Sequence, residues 1–191
     1  DLRGRLRASV REAESTPPKI PWWKWQWIPT LATAAVLAVA LAATWAIVSK
    51  NSASDDDLLA KEIVSAHVRS MMEEHLMDVP STDQHTVKPW FDGRLDFSPP
   101  VTDLSPQGFA LIGGRLDYAS GRAVAALVYQ RRQHYINLFI YPAPNTANVG
   151  SKVQVLQGYN LIHWSRSGMV FWAVSDLNLS ELQEFSQDLQ N

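Results

Sequence analysis

One long apolar run dominates the hydrophobic pattern of this chain: residues 28–48 contain no formal charge over 21 positions. A helix that crosses a hydrocarbon core of about 30 Å, at about 1.5 Å per residue, needs roughly 20 residues. Thr30, Thr33 and Thr44 interrupt the run, too few for the polar stripe of a helix lying on a protein core. A cleaved signal peptide would be shorter and closer to the N-terminus. The pattern therefore predicts one transmembrane helix.

The residues on either side of the run predict its orientation. Four tryptophans precede it, as in the aromatic belt of a membrane interface: Trp22, Trp23, Trp25 and Trp27. Residues 1–27 carry six basic and three acidic side chains, whereas residues 49–191 carry eleven basic and sixteen acidic ones. Because cationic flanks stay in the cytoplasm, we expect a cytoplasmic juxtamembrane segment at 1–27 and an exported C-terminal domain.

The chain beyond the run divides into a linker and one domain. Residues 49–56 are mostly polar, which predicts a linker, and residues 57–191 are enough for one compact domain with its own core. The chain has no cysteine, so this domain contains neither disulfides nor thiolate metal sites. Asp1 is not an initiator methionine, and we expect the complete product to begin earlier.

The N-terminal segment has its own periodicity. Leu2, Leu6 and Val10 recur at helical spacing among arginines, and a proline-rich stretch at 16–21 ends any helix before the tryptophans. Two interpretations stay open. The segment is either a basic helix held at anionic lipid or a helix whose apolar side binds a protein partner.

Within the domain, the apolar spacing is first helical and then irregular. Residues 57–79 repeat apolar side chains every three or four positions, which predicts a helix ended by Pro80. Residues 81–108 show no period but include Trp90 and Phe91. We expect an ordered, packed loop there, with both rings in a core or a groove.

Strand patterns follow this loop, and five strands are predicted, at 109–118, 122–132, 134–142, 158–165 and 169–175. The first three, separated by short turns, form an antiparallel meander. The third is apolar on both faces, as in a central strand covered on two sides. Residues 142–150 read as a loop, and Asn178 caps a short terminal helix. The predicted fold class is α+β, an antiparallel sheet of about five strands with flanking helices that cover one face.

Histidines supply the first candidate chemistry. His67 and Glu74 share one face of the predicted helix, and with His85 they form a candidate set of metal ligands. The alternative is ordinary packed or surface histidines, which the spacing favours. No metal site is therefore assigned, and no cofactor is expected in this chain.

Catalytic motifs do not occur in the sequence. There is no Gly-x-Ser-x-Gly nucleophile motif, and Gly113-Gly114 precedes a predicted strand rather than the helix that a phosphate cradle needs. These glycines predict a bulge or bend in the sheet. We expect a protein that is not an enzyme. Because the exported domain is acidic, direct contact with nucleic acid is not expected either.

Aromatic side chains are the better binding candidates. Trp90, Phe91, Trp164 and Trp172 are candidates for lining a hydrophobic groove that takes a peptide, a protein or a lipid-like signal. The alternative for each ring is a place in the core, since large rings dominate cores as they dominate interfaces. The sequence leaves both interpretations open.

Three stretches that cover most of the domain carry a resemblance to a known family: HVRSMMEEHLMDVPSTDQHTVKPWFDGRLDFSPPV (67–101), GFALIGGRLDYASGRAVAALVYQRRQHYINLFIYP (108–142) and GYNLIHWSRSGMVFWAVSDLNLSELQEF (158–185). Together they resemble the single-pass transmembrane anti-sigma factors of Gram-negative bacteria, often called transmembrane transcriptional regulators. The predicted membrane helix and its orientation agree with this resemblance.

The resemblance implies a regulator in the bacterial inner membrane. In that family a cytoplasmic helical domain sequesters an extracytoplasmic-function sigma factor, and a periplasmic domain controls its release, commonly by regulated proteolysis. The implied partners are the sigma factor, membrane lipid, and an envelope protease or a periplasmic signal protein. Leu2, Leu6 and Val10 would then end the sigma-binding domain.

The chain departs from the family in one respect. Many members carry a His-x3-Cys-x2-Cys zinc motif in the cytoplasmic domain, and none occurs here. Either a sigma-binding domain, with any zinc it holds, lies ahead of Asp1, or such a domain was never part of this product. Two other classes stay open: an exported, membrane-anchored binding or assembly module without a sigma partner, and a metal-responsive sensor that uses His67, Glu74 and His85.

Overall fold

The computed structural model describes residues 28–72, 75–143 and 147–191, and in the first of these ranges it describes side chains at 36–46 and 55–72. Contacts divide the chain into two units, Asp1–Ser52 and Ala53–Asn191. The predicted cytoplasmic segment lies outside the described residues, together with all seven side chains assigned to it: Leu2, Leu6, Val10, Trp22, Trp23, Trp25 and Trp27.

The first element, α1, is the helix Ile28–Met72. Residues 49–56 lie inside α1, so the segment predicted to be a linker is helical, and the boundary between the two units falls within it. In the described part of the chain, no helix has the length and apolarity that crossing a membrane demands. The span at 28–48 stays a prediction from the sequence.

The second unit is an α+β domain, as predicted, and its described residues form seven strands instead of five. The strands are β1 (Val79–Pro80), β2 (Ala110–Ala119), β3 (Arg122–Arg131), β4 (His134–Pro142), β5 (Val149–Leu156), β6 (Tyr159–Arg166) and β7 (Met169–Ser175). The other helices are α2 (Gln84–Trp90), a 3-10 turn at Ser105–Gln107, and α3 (Leu179–Asp188). The sheet order is β1-β2-β3-β4-β7-β6-β5, with antiparallel pairing throughout.

The structure confirms the predicted meander of β2, β3 and β4. Its first turn, Ser120-Gly121, has φ values of 55° and 72°, the left-handed pair of a two-residue hairpin turn. Ser167-Gly168, between β6 and β7, repeats the pair at 54° and 74°. Glycine at the second position removes most of the steric cost of these turns.

β4 lies in the middle of the sheet, as its two apolar faces predict. Leu138 and Ile140 belong to the core on one side, and Phe139 and Tyr141 belong to the core on the other. Both faces of the sheet are therefore covered. The prediction that helices cover only one face is wrong.

The first face, called the α1 face, is covered by α1 from residue 57 onward. Ala60, Ile63 and Val64 are fully buried there, in one cluster with Phe139 and Trp172. Their spacing of three and one places them on one side of the helix, which gives α1 a single apolar surface to bury.

The second face, called the loop face, is covered by α2, α3 and residues 91–109. Side chains of Asp83 and Asn178 cap the first turns of the two helices. Phe91 and Phe109 are fully buried in the core on this face. The long loop is ordered and packed, as predicted, although α2 within it is absent from the prediction.

Two boundaries differ from the prediction. The predicted helix extends to Val79, but α1 ends at Met72, and Val79 instead pairs with Gly114 as part of the edge strand β1. The predicted loop at 142–150 overlaps the start of β5. Prolines and asparagines before this strand, and Gly150 and Ser151 within it, hide the alternation of its valines.

The two glycines of β2 lie beside a shift in the β2–β3 register, which confirms the predicted bulge. A Cβ at Gly113 would lie 2.5 Å from the carbonyl oxygen of Val79, and one at Gly114 would lie 3.0 Å from the ring of Phe91. The missing side chains allow β1 and α2 to approach β2 closely.

We expect Gly113→Ala to lower the free energy of unfolding by about 1–3 kcal/mol, because the new methyl group must displace the β1 backbone. Gly150→Ala is the matched control, since its Cβ would meet nothing within 4 Å, and a change within about 0.5 kcal/mol is expected. Chemical denaturation of the full chain, followed by circular dichroism, measures both. Equal stability of the two variants would contradict the close approach of β1.

Candidate functional site

A group of polar side chains interrupts the otherwise apolar packing between α1 and the sheet. His67 and Ser70 come from α1, Arg115 from β2 and Asn137 from β4, and all four side chains are buried. We call these four residues the α1 polar cluster. Buried polar groups are costly unless they find hydrogen-bond partners.

A short hydrogen-bond chain joins the sheet to the helix. The amide nitrogen of Asn137 donates to the hydroxyl of Ser70 over 3.1 Å, and that hydroxyl donates to the carbonyl oxygen of His67 over 2.8 Å. The side-chain oxygen of Asn137 has no partner among the described residues. This chain of bonds fixes the position of α1 along the sheet, because apolar contacts alone have no direction.

His67 is the least satisfied member of the cluster. Both ring nitrogens lack a hydrogen-bond partner among the described residues, and the ring packs edge-on against Tyr159 at 5.1 Å. The pKa of His67 is lowered to about 4, chiefly by burial and also by the charge of Arg115, while Asp176 opposes the shift. The imidazole is therefore neutral at pH 7.

Arg115 is held on every side by partners within the domain. Its guanidinium donates twice to a carboxylate oxygen of Asp117, at 2.9 and 3.1 Å, and once to the carbonyl oxygen of Leu76 at 3.1 Å. It also lies over the ring of Phe139 at 5.4 Å. Burial lowers the pKa of Arg115, and Asp117 partly reverses that shift. Arg115 thereby ties the chain just after α1 to β2.

The other end of the packed helix is tied down at the sheet periphery. Asp56 and Lys152 form an ion pair at 3.3 Å, and the side chain of Gln154 donates to Asp57 at 3.0 Å. Glu62 accepts from the backbone of Ser120 in the first hairpin turn at 3.1 Å. These contacts are exposed and individually weak. Together with the cluster, they hold α1 at both ends of its packed part.

The candidate metal ligands are not brought together. His67 is buried at the α1 face, whereas His85 is exposed on α2, which covers the loop face. Glu74 lies outside the described residues. Among the residues that are described, no group of three or more histidine, cysteine or carboxylate side chains has a metal-binding arrangement.

The four candidate groove aromatics do not share one surface. Phe91 and Trp164 are buried in the core of the loop face, and Trp172 is buried in the core of the α1 face. Trp90 is partly buried against the loop-face core, with the guanidinium of Arg94 4.5 Å from its ring centre. Three of the four rings are therefore core residues, which was the alternative interpretation.

The α1 polar cluster was not predicted from the sequence, although its strand residues carry a signal. Asn137 stands in the middle of an apolar strand, and Arg115 occupies an inward position of β2. A polar residue at the centre of a two-sided apolar strand must find a partner on a packed element. The arrangement holds no pair of nucleophile and base, and its chemistry is the positioning of α1.

The chain has no match among family models, curated proteins or solved structures.

Acid should destabilise the domain through His67. The folded pKa of about 4 lies below the ordinary value of 6.5, so the unfolded chain binds more protons as the pH falls through this window. The stabilisation by neutral His67 is complete above pH 6.5 and is lost by about pH 4, which amounts to about 3 kcal/mol.

Replacing His67 by leucine should remove this part of the acid sensitivity. We expect the difference in unfolding free energy between pH 7 and pH 4 to be about 3 kcal/mol smaller in His67→Leu than in the unaltered chain. His85→Leu, the same change at an exposed site, is the control. If His67→Leu leaves the difference in unfolding free energy between pH 7 and pH 4 unchanged, His67 is not buried in its neutral form.

Proposed function

We propose that this protein is a membrane-anchored anti-sigma factor, a negative regulator of an extracytoplasmic-function sigma factor in a Gram-negative inner membrane. Its N-terminal side lies in the cytoplasm, and its α+β domain lies in the periplasm. The domain responds to an envelope signal and controls release of the sigma factor by regulated proteolysis. The resemblance of residues 67–185, the apolar run and the charge asymmetry support this function.

The surface of the apolar run supports the membrane part of the proposal. Where side chains of the run are described, at 36–46, large apolar groups are exposed, including Leu37 at 64% and Trp45 at 78%. Val36, Val39 and Leu41 are exposed to a similar extent. A contiguous apolar surface of this kind is unfavourable in water and favourable in lipid.

The packing of α1 against the sheet is the observation that supports the regulatory part of the proposed function. One helix contains the apolar run, the segment at 49–56 and the fully buried residues Ile63 and Val64. A protease needs an extended, locally unfolded substrate, so a helix that is fixed at its C-terminal part protects the turns before it. Docking of α1 on the sheet can thereby control cleavage at 49–56.

The long loop at residues 81–107 is less suitable for a regulated cut than the segment at 49–56. Residues 81–107 contribute Val87, Phe91 and Leu104 to the core of the loop face. A cut there requires opening of that core, whereas a cut at 49–56 requires release of one helix. We therefore place the regulated cleavage at 49–56.

The α1 polar cluster gives this helix a point at which it can be released. His67 is buried without hydrogen bonds to its ring, and an unsatisfied buried polar group costs about 1–3 kcal/mol. The α1 face is therefore less stable than an all-apolar contact of the same area. A modest signal is sufficient to shift the equilibrium between docked and released helix.

A matched pair of variants tests the proposal in cells that carry the complete gene and the sigma factor that it is proposed to bind. Ile63→Lys places a charge in the fully buried contact, and Ser65→Lys places the same residue on the exposed side of the same helix. We expect Ile63→Lys to raise cleavage at 49–56 and expression from the sigma-dependent promoter several-fold without any stress. Ser65→Lys should leave both unchanged.

The outcome separates the proposal from its alternative. Cleavage that rises without any change in promoter activity would favour the exported assembly module that has no sigma partner. An alkaline phosphatase fused after Asn191 is expected to be active, because this enzyme folds only outside the cytoplasm. An inactive fusion would overturn the orientation.

A further inference from the structure

The two edges of the sheet are protected very differently. β1, at one edge, has only two residues, and one of them is Pro80, which has no amide proton to offer a further strand. β5, at the other edge, has eight residues and no proline. Among the described residues no strand pairs with the outer side of β5, which leaves a row of backbone donors and acceptors open.

Apolar side chains are concentrated on this open strand. Val153 is 44% exposed and Val155 is 63% exposed. They point to the loop face, since Val153 pairs across the sheet with Ile162 of the loop-face core. An open edge that also presents valines is a template for pairing with another strand.

The regular part of β5 is short and has a definite centre. A register irregularity lies between Val149 and Lys152, and from Lys152 to Leu156 the pairing with β6 is continuous. A bulge ends the regular ladder on one side. The five residues that remain are centred on Gln154.

We propose that β5 pairs antiparallel with β5 of a second copy of this chain, about a two-fold axis at Gln154. In this register Val153 faces Val155 of the second copy, Lys152 faces Leu156, and Gln154 faces itself. Every regular residue is used, and the valines form cross-strand pairs, which stabilise antiparallel sheets. A two-fold interface of this kind closes on itself and makes a dimer.

Charge favours this register over one centred on Lys152. Lys152 is the single charged residue of β5. With the axis at Gln154, the two lysines stand four residues apart along the strands, about 13 Å, which is beyond the screening length of about 8 Å at physiological salt. An axis at Lys152 would place the lysines opposite each other, which is destabilising. This surface is inferred from β5 itself and does not rest on the proposed regulatory function.

A cysteine scan tests the register directly, because the chain contains no cysteine of its own. In the full chain in mild detergent, Gln154→Cys should form a disulfide-linked dimer on mild oxidation. Lys152→Cys, on the same strand and the same face, should form several-fold less at equal concentration. Each change removes one exposed contact to the start of the packed part of α1, so the two variants are matched in that effect.

A second pair of variants tests the valine contacts in the Gln154→Cys background. Val153→Lys with Val155→Lys would bring like charges together across the axis, and at least a several-fold loss of cross-linked dimer is expected. Leu58→Lys, a change at an apolar residue 60% exposed on α1, should leave the dimer unchanged. The proposal fails if the cysteine at 152 cross-links as well as the one at 154, if the lysines have no effect, or if no dimer forms.

Discussion

The packing of one helix against one face of the sheet is the contact on which the rest of this domain depends. β4 is central and apolar on both sides, so neither of its faces can be left to water. The loop face is covered by several short elements, whereas Ala60, Ile63, Val64 and Ala66 of α1 cover the α1 face. Hydrophobic burial of this kind is strong but has no direction, so it fixes the helix to the face without fixing its position.

Polar groups set the position of α1 along the face, and burying them costs free energy. The bond from Asn137 to Ser70 joins helix and sheet at a defined point, and the bond from Arg115 to Leu76 fixes the chain just after the helix. The ring of His67 and the side-chain oxygen of Asn137, by contrast, are buried without hydrogen-bond partners among the described residues. A contact built this way is specific and only moderately stable. That combination suits an element that must stay docked until a signal releases it.

Periodicity revealed those parts of the fold in which one side of an element is buried. It predicted the helix from residue 57 and the meander, because there the apolar residues repeat with the period of the element. The central place of β4 followed from a strand that is apolar on both faces. It missed β5, where the valines face partly into water and Gly150 and Ser151 break the alternation. It also extended the first helix to Val79, a residue that becomes a strand only because Gly113 and Gly114 let it approach.

The candidate site was harder to predict than the fold, for a physical reason. The partners of the α1 polar cluster come from three elements that are distant in sequence, and Ser70 and Asn137 are 67 residues apart. No local pattern reports such a pairing. Three of the aromatic rings that stand out in the sequence, Phe91, Trp164 and Trp172, are buried for packing, which is the commonest use of large rings.

The packed part of α1 begins beside β5, the strand that also forms the open edge of the sheet. Lys152 and Gln154, on the α1 face of β5, hold Asp56 and Asp57 at the beginning of the packed helix. Pairing of β5 with a second copy would stiffen the strand that carries both contacts, and so would favour the docked helix. By linkage, a docked helix would favour the pairing to the same degree. If both proposals hold, release of α1 is easier in the monomer than in the dimer, and dimerisation raises the threshold at which the protein responds.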